Sequence, residues 1–184
     1  SRLRCVFVGS LYPELRTPHY ALELFCALND PNLELVFVGG GWENYPADLL
    51  EPYRKILGGR LIVTGPLPAK QAAEELAKAD VLLSLGNGVD NQVPSKIFEY
   101  FAAGRPGLHL AKLENDPCRP YFDRWPLALT LLESEGTGPD VLARLSAFLS
   151  EKGRCRLPFE EAARLFESNT PQAAARCLEQ TLGG

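Results

Sequence analysis

The chain has 184 residues, a net charge of -4, 46% hydrophobic and 23% charged residues, the make-up of one ordinary globular domain with room for a small appendage. That charge argues against general nucleic-acid or anionic-membrane binding through bulk electrostatics, though not against a local basic pocket for a phosphate. No apolar run approaches membrane-spanning length, and no signal-peptide pattern opens the chain.

In chain order, "RCVFVG" (4–9) reads as a buried strand and "TPHYALELFCAL" (17–28) as a helix. Thr17 is its expected N-cap and Pro18 its first helical residue, where a missing N–H costs nothing. "LELVFVG" (33–39) is a second strand, stopped by Gly39, Gly40 and Gly41. "PADLLEPYRKIL" (46–57) reads as a helix that Pro52 kinks or splits. "RLIVTG" (60–65), "PAKQAAEELAKA" (68–79), "DVLLSL" (80–85), "PSKIFEYFAAG" (94–104) and "PGLHL" (106–110) continue the alternation of strand and helix. "PLALTLL" (126–132) is a sixth strand and "PDVLARLSAFLSEK" (139–152) an amphipathic helix. "PFEEAARLFES" and "PQAAARCLEQTL" end the chain helically. The stretch 111–126, with Pro117, Pro120 and Pro126, gives no clear element.

Short apolar strands alternating with helices imply an α/β fold: a mostly parallel sheet with helices on both faces and C-terminal helices appended. The expected division is a sheet domain over 1–155 and a helical appendage over 156–184. The chain contains no Met and begins almost directly on a strand, so it reads as a domain cut from a longer protein. Its five cysteines, Cys5, Cys26, Cys118, Cys155 and Cys177, show no CxxC spacing. Buried reduced thiols are expected, and with only His19 and His109 a zinc site is not.

In open parallel sheets, ligands bind at the carboxyl ends of the strands near a topological switch point. The loops that matter therefore follow residues 9, 39, 65, 85 and 110. On the helix at 94–104, steps of about 100° place Ser95, Lys96, Glu99 and Ala103 on one side and Ile97, Phe98 and Phe101 on the other. The latter three suffice to pack the helix onto a sheet. An uncapped helix start with a lysine beside it is an anion site. A solvated Lys96–Glu99 pair, with Ser95 as the N-cap, explains the same spacing equally well. In "GSLYPELRTP" (9–18), Gly9 permits close backbone approach, and Arg16 stands just ahead of a helix start. Taken alone, Arg16 also reads as an ordinary surface residue. No G-x-G-x-x-G, G-x-x-x-x-G-K-[ST] or G-x-S-x-G is present, which removes the usual support for dinucleotide, P-loop and hydrolase readings. His109, on an apolar strand, reads as a satisfied core residue.

"VPSKIFEYFAAGRP" (93–106), with "FVGSLYPELRTPHYALELF" and "LIVTGPLPAKQAAEELAKADVLLSL" before it, resembles the donor-binding half of GT-B glycosyltransferases of retaining family four. A small residue, lysine, aromatic-Glu-Tyr and a Gly-basic-Pro turn recur in enzymes that build polysaccharides. The resemblance covers about residues 4–152. It implies a Rossmann-like domain of a cytoplasmic hexosyltransferase, holding a UDP-sugar or GDP-sugar without metal or other cofactor. On the matching positions, Glu99 binds the ribose hydroxyls and Ser95 and Lys96 meet the diphosphate. Gly9, Ser10 and Arg16 face that diphosphate from the first loop, with Arg16 and Lys96 stabilising the leaving group, and Pro66 and Leu67 flank the base. It further implies an acceptor-binding domain outside this chain, no activity for the isolated domain, no nucleic-acid partner, and a longer protein that can sit peripherally on a membrane.

Three positions depart from the pattern. Asn91 stands where the family has an acid that contacts the transferred sugar, Ser10 where a basic residue is common, and Leu15 where a lysine is common, with Arg16 one position along. A non-catalytic nucleotide-sugar sensor of the same fold is the alternative, which Asn91 favours. A sugar-nucleotide epimerase would want a carboxylate pair or histidine that the sequence does not offer.

Overall fold

A computed structural model describes residues 1–87 and 96–167. Six strands, β1 (Leu3–Val8), β2 (Leu33–Val38), β3 (Leu61–Val63), β4 (Val81–Leu85), β5 (Gly107–Ala111) and β6 (Ala128–Leu132), form one sheet in the order β3-β2-β1-β4-β5-β6. Every pairing is parallel, with Phe7 opposite Phe37, Cys5 opposite both Leu35 and Val81, and Ser84 opposite His109. The helices are α1 (His19–Leu28), α2 (Glu51–Leu57), α3 (Ala69–Ala77), α4 (Lys96–Ala102), α5 (Arg119–Arg124), α6 (Pro139–Lys152) and α7 (Phe159–Glu167). This is a Rossmann-like α/β fold.

Strand residues divide between the two faces with the period of two that a pleated strand imposes. Cys5, Phe7, Leu35, Phe37, Val81, Leu83, Leu108 and Leu110 join one core with Tyr20, Leu24 and Phe25 of α1, Leu57 of α2, and Leu145 and Phe148 of α6. Val6, Val36, Val38 and Leu82 point the other way, toward Tyr100 of α4 and the apolar side of α3. A third cluster joins Ile97, Phe98 and Phe101 of α4 to Phe122 of α5, Trp125 and Ala162 of α7. So α4 differs from the sequence expectation: Ile97, Phe98 and Phe101 pack on α5 and α7, and Tyr100 seats the helix on the sheet. Each fully buried side chain of this size stabilises the fold by about 1.5–3 kcal/mol.

Two helix starts also differ from expectation. α1 begins at His19, with Pro18 in helical conformation at the cap position and no side-chain cap bond, so Thr17 does not cap it. Pro52 sits in the first turn of α2, whose start is therefore Glu51 rather than 46. The stretch 111–126 holds α5, with Pro120 likewise in its first turn. Among the described residues, Cys5 and Cys118 are buried free thiols, whereas Cys26 is half-buried and Cys155 exposed. No helix among them is long and apolar enough to cross a membrane. The final helix expected from the sequence, and Cys177, lie outside the described residues.

Candidate functional site at the switch point

β1 and β4 are neighbours in the sheet although the chain leaves them toward opposite edges, which makes the crevice at their carboxyl ends the topological switch point. The loops there are fastened backbone to backbone. Gly9 N–H donates to Val38 O at 2.9 Å, Leu11 N–H to Gly40 O at 3.0 Å, and Gly39 N–H to Gly65 O at 3.1 Å. Gly39 has φ +130°, and a Cβ on it would lie 2.1 Å from Gly9 O; Gly41, at φ +98°, would place one 2.2 Å from Leu11 O. Only glycine permits such an approach.

Beyond Leu11 the chain closes on itself. Tyr12 N–H donates to Arg16 O and Arg16 N–H to Tyr12 O, both at 2.8 Å. This small loop returns Arg16 to the strand ends, where its Nε donates to Oδ1 of the buried Asn87 at 3.2 Å. The bond runs from the loop after β1 to the loop after β4, across the switch point. It fixes the plane of the guanidinium, one terminal nitrogen of which lies 3.3 Å from where a Gly9 Cβ would sit.

Tyr100 connects this crevice to α4. Burial pushes its phenol up and the neighbouring Glu99 carboxylate pushes the same way, while Arg16 and a Val8 backbone hydrogen bond pull it down. Tyr100 thus feels both the Glu99 carboxylate on its own helix and the Arg16 guanidinium of the first loop. Glu99 itself is exposed, in the first turn of α4. Ser10 is exposed beside half-buried Gly9, and Leu15 and Tyr12 flank Arg16 at 40% and 48% exposure. Pro66 is exposed and approaches Gly40, and Leu67 is half-buried against the Val6–Leu82 cluster. Lys96 opens α4, but its side chain lies outside what is described, as do Asn91 and Ser95.

Two features escape sequence reading. Asn87 is one, because its partner is 71 residues away. The other is a buried polar chain behind the crevice. His109 Nδ1 lies 2.9 Å from Ser84 Oγ and its Nε2 lies 3.0 Å from Asp116 Oδ2. Asp116 Oδ1 accepts the Cys118 N–H at 2.7 Å, and the imidazole stacks on Phe122 with centroids 4.6 Å apart. Burial pushes the Asp116 carboxyl up, but hydrogen bonds from His109 and the Cys118 and Arg119 amides outweigh it and hold it below the ordinary value. His109, Asp116 and Cys118 also bring three ligand-type atoms within 4.8 Å. Burial pushes the Cys118 thiol up to about 12, and the contacts that His109 and Asp116 make here are those of a hydrogen-bond network. His109 is the satisfied core residue its sequence context suggests.

A family model for glycosyl transferases group 1 matches residues 2–110. No curated protein sequence matches the chain. Among solved structures, it is similar to the lipopolysaccharide outer core galactosyltransferase WaaB in its apo form, with TM-score 0.57 and 16% identity over 99% of this chain and 49% of that one. It is also similar to Anabaena Alr3699/HepE, solved in complex with UDP and glucose, with TM-score 0.60 and 13% identity over 100% of this chain and 48% of that one. The chain thus spans about half the length of each, and at these identities the likeness is one of fold.

Proposed function

The chain belongs to the group 1 glycosyl transferases, and on that premise we propose that it is the donor-binding half of a retaining GT-B enzyme that takes a UDP-sugar or GDP-sugar without metal. The observation that carries this reading is the Arg16–Asn87 bond across the switch point, which holds a cation where open α/β sheets bind phosphates. The donor diphosphate lies against Gly9, Ser10 and Arg16 on one side and Ser95 and Lys96 at the start of α4 on the other. Glu99 accepts both ribose hydroxyls, and Pro66 and Leu67 flank the base. When the bond between the sugar anomeric carbon and the diphosphate breaks, negative charge grows on the leaving oxygen, and Arg16 and Lys96 stabilise it. HepE, of similar fold, was solved with UDP and glucose, which makes uracil the first base to try. The acceptor is bound by a part of the longer protein outside this chain, so the isolated chain transfers no sugar.

A second reading, a nucleotide-sugar sensor without transfer, is favoured by Asn91 in the position of the family's sugar-contacting acid. Both readings require nucleotide binding. Calorimetric titration of the chain in EDTA with UDP, GDP and ADP is expected to show binding of UDP or GDP that added magnesium leaves unchanged. Binding that appears only with magnesium contradicts the metal-free site.

A further inference from the structure

The Ser84–His109–Asp116 chain is buried throughout, with Ser84 7%, His109 0% and Asp116 3% exposed, so it cannot touch a substrate. It does touch the backbone that carries Asn87. A Cβ on Gly86 would lie 2.5 Å from Asp116 Oδ2 and 3.1 Å from both Ala111 Cα and Lys112 N. The Gly86 backbone is therefore pressed onto the carboxylate, and its N–H donates to Leu110 O at 2.8 Å. The next residue, Asn87, holds the Arg16 guanidinium.

We propose that Asp116, oriented by His109 and Ser84, is a positioning residue that fixes the Gly86–Asn87 segment and, through Asn87, aims Arg16 at the switch point. The carboxylate is locked on both oxygens: Oδ1 by the Cys118 amide, Oδ2 by the imidazole. Since Oδ2 only accepts, His109 Nε2–H donates to it, and in the neutral imidazole Nδ1 accepts the hydrogen bond from the Ser84 O–H. Every member is thus satisfied, the condition under which a buried polar network rigidifies its surroundings and specifies one arrangement. Apolar side chains at these positions would fill the space without setting the height of the Gly86 backbone over β5. That Arg16 serves a diphosphate rests on the function proposed above; that Asp116 positions Arg16 does not.

The test compares the full chain with Asp116→Ala and Asp116→Asn, and reads Arg16 directly. An asparagine keeps the shape: its oxygen accepts the Cys118 N–H, its amide donates to Nε2, and the imidazole shifts its proton to Nδ1, which donates to Ser84 Oγ. Two quantities are measured: solvent exchange of the Arg16 Nε–H by NMR, and affinity for UDP against uridine. Asp116→Ala is expected to speed Arg16 Nε–H exchange and weaken UDP about tenfold with uridine unchanged, and Asp116→Asn to restore both. Unaltered Arg16 exchange in Asp116→Ala overturns the proposal, as does an Asp116→Asn variant as impaired as the alanine, which would make charge the cause. If Asp116→Ala does not fold, Ser84→Ala decides: faster Arg16 exchange supports the relay and unaltered exchange refutes it. A wild-type chain that binds neither UDP nor GDP contradicts the proposed function alone, and Arg16 exchange still decides the relay.

Discussion

Glu99 and Arg16 carry opposite charges, both felt by the buried Tyr100 phenol, and each is assigned to a different end of one nucleotide. The carboxylate faces solvent while its helix neighbours Ile97, Phe98 and Phe101 are 1%, 8% and 1% exposed, so its removal costs the core nothing. If Glu99 accepts two ribose hydroxyls, each charge-assisted bond contributes roughly 1.5–3 kcal/mol. Glu99→Ala is then expected to weaken UDP or GDP binding about ten- to a hundredfold with the denaturant midpoint unchanged. A solvated pair with Lys96 instead predicts unchanged affinity and a stability loss of roughly 0–1 kcal/mol. Affinity and midpoint measured on the same variant separate the two. At this scale the sequence was partly legible. Arg16 stood out as a cation before a helix, but nothing local marks Asn87 as its acceptor or Asp116 as the partner of His109. Such pairs exist only once β1, β4 and β5 lie side by side.

Among the elements, strands were legible because each is a short apolar run, and the helix α6 was read at its observed bounds, Pro139–Lys152. Errors fell where proline and capping chemistry compete. Pro18 occupies the cap position expected for Thr17, and Pro52 opens α2 rather than bending it. α5 was hidden because three prolines mask a helix whose first amides are bonded by Asp116 from outside it. Also unmarked locally was the contact between the loops after β1 and β2, which makes a prediction of its own. At Gly39, alanine adds left-handed strain to a 2.1 Å clash with Gly9 O, whereas at Gly58 (φ +57°) nothing lies within 4 Å. Gly39→Ala is therefore expected to lose about 2–4 kcal/mol of stability and Gly58→Ala about 1–2 kcal/mol. Equal losses in denaturant unfolding would mean that strain alone matters and that the two loops are not coupled by close approach.

For the whole molecule, the parallel sheet in the order β3-β2-β1-β4-β5-β6 places the loops bearing Gly9, Arg16, Asn87 and the start of α4 at one end. The opposite end is closed by ion pairs: Arg4 with Glu34 and Glu75, and Arg154 and Arg156 with Asp80. Nucleotide binding must therefore be felt at one end and not at the other. Backbone chemical-shift mapping during a UDP titration in EDTA tests this most directly. Changes are expected at Gly9–Arg16, Gly39–Gly41, Gly86–Asn87 and along α4, with Arg4, Glu34, Asp80 and Arg154 unmoved. Saturable changes centred on that ion-paired end, with the switch-point loops silent, would contradict it.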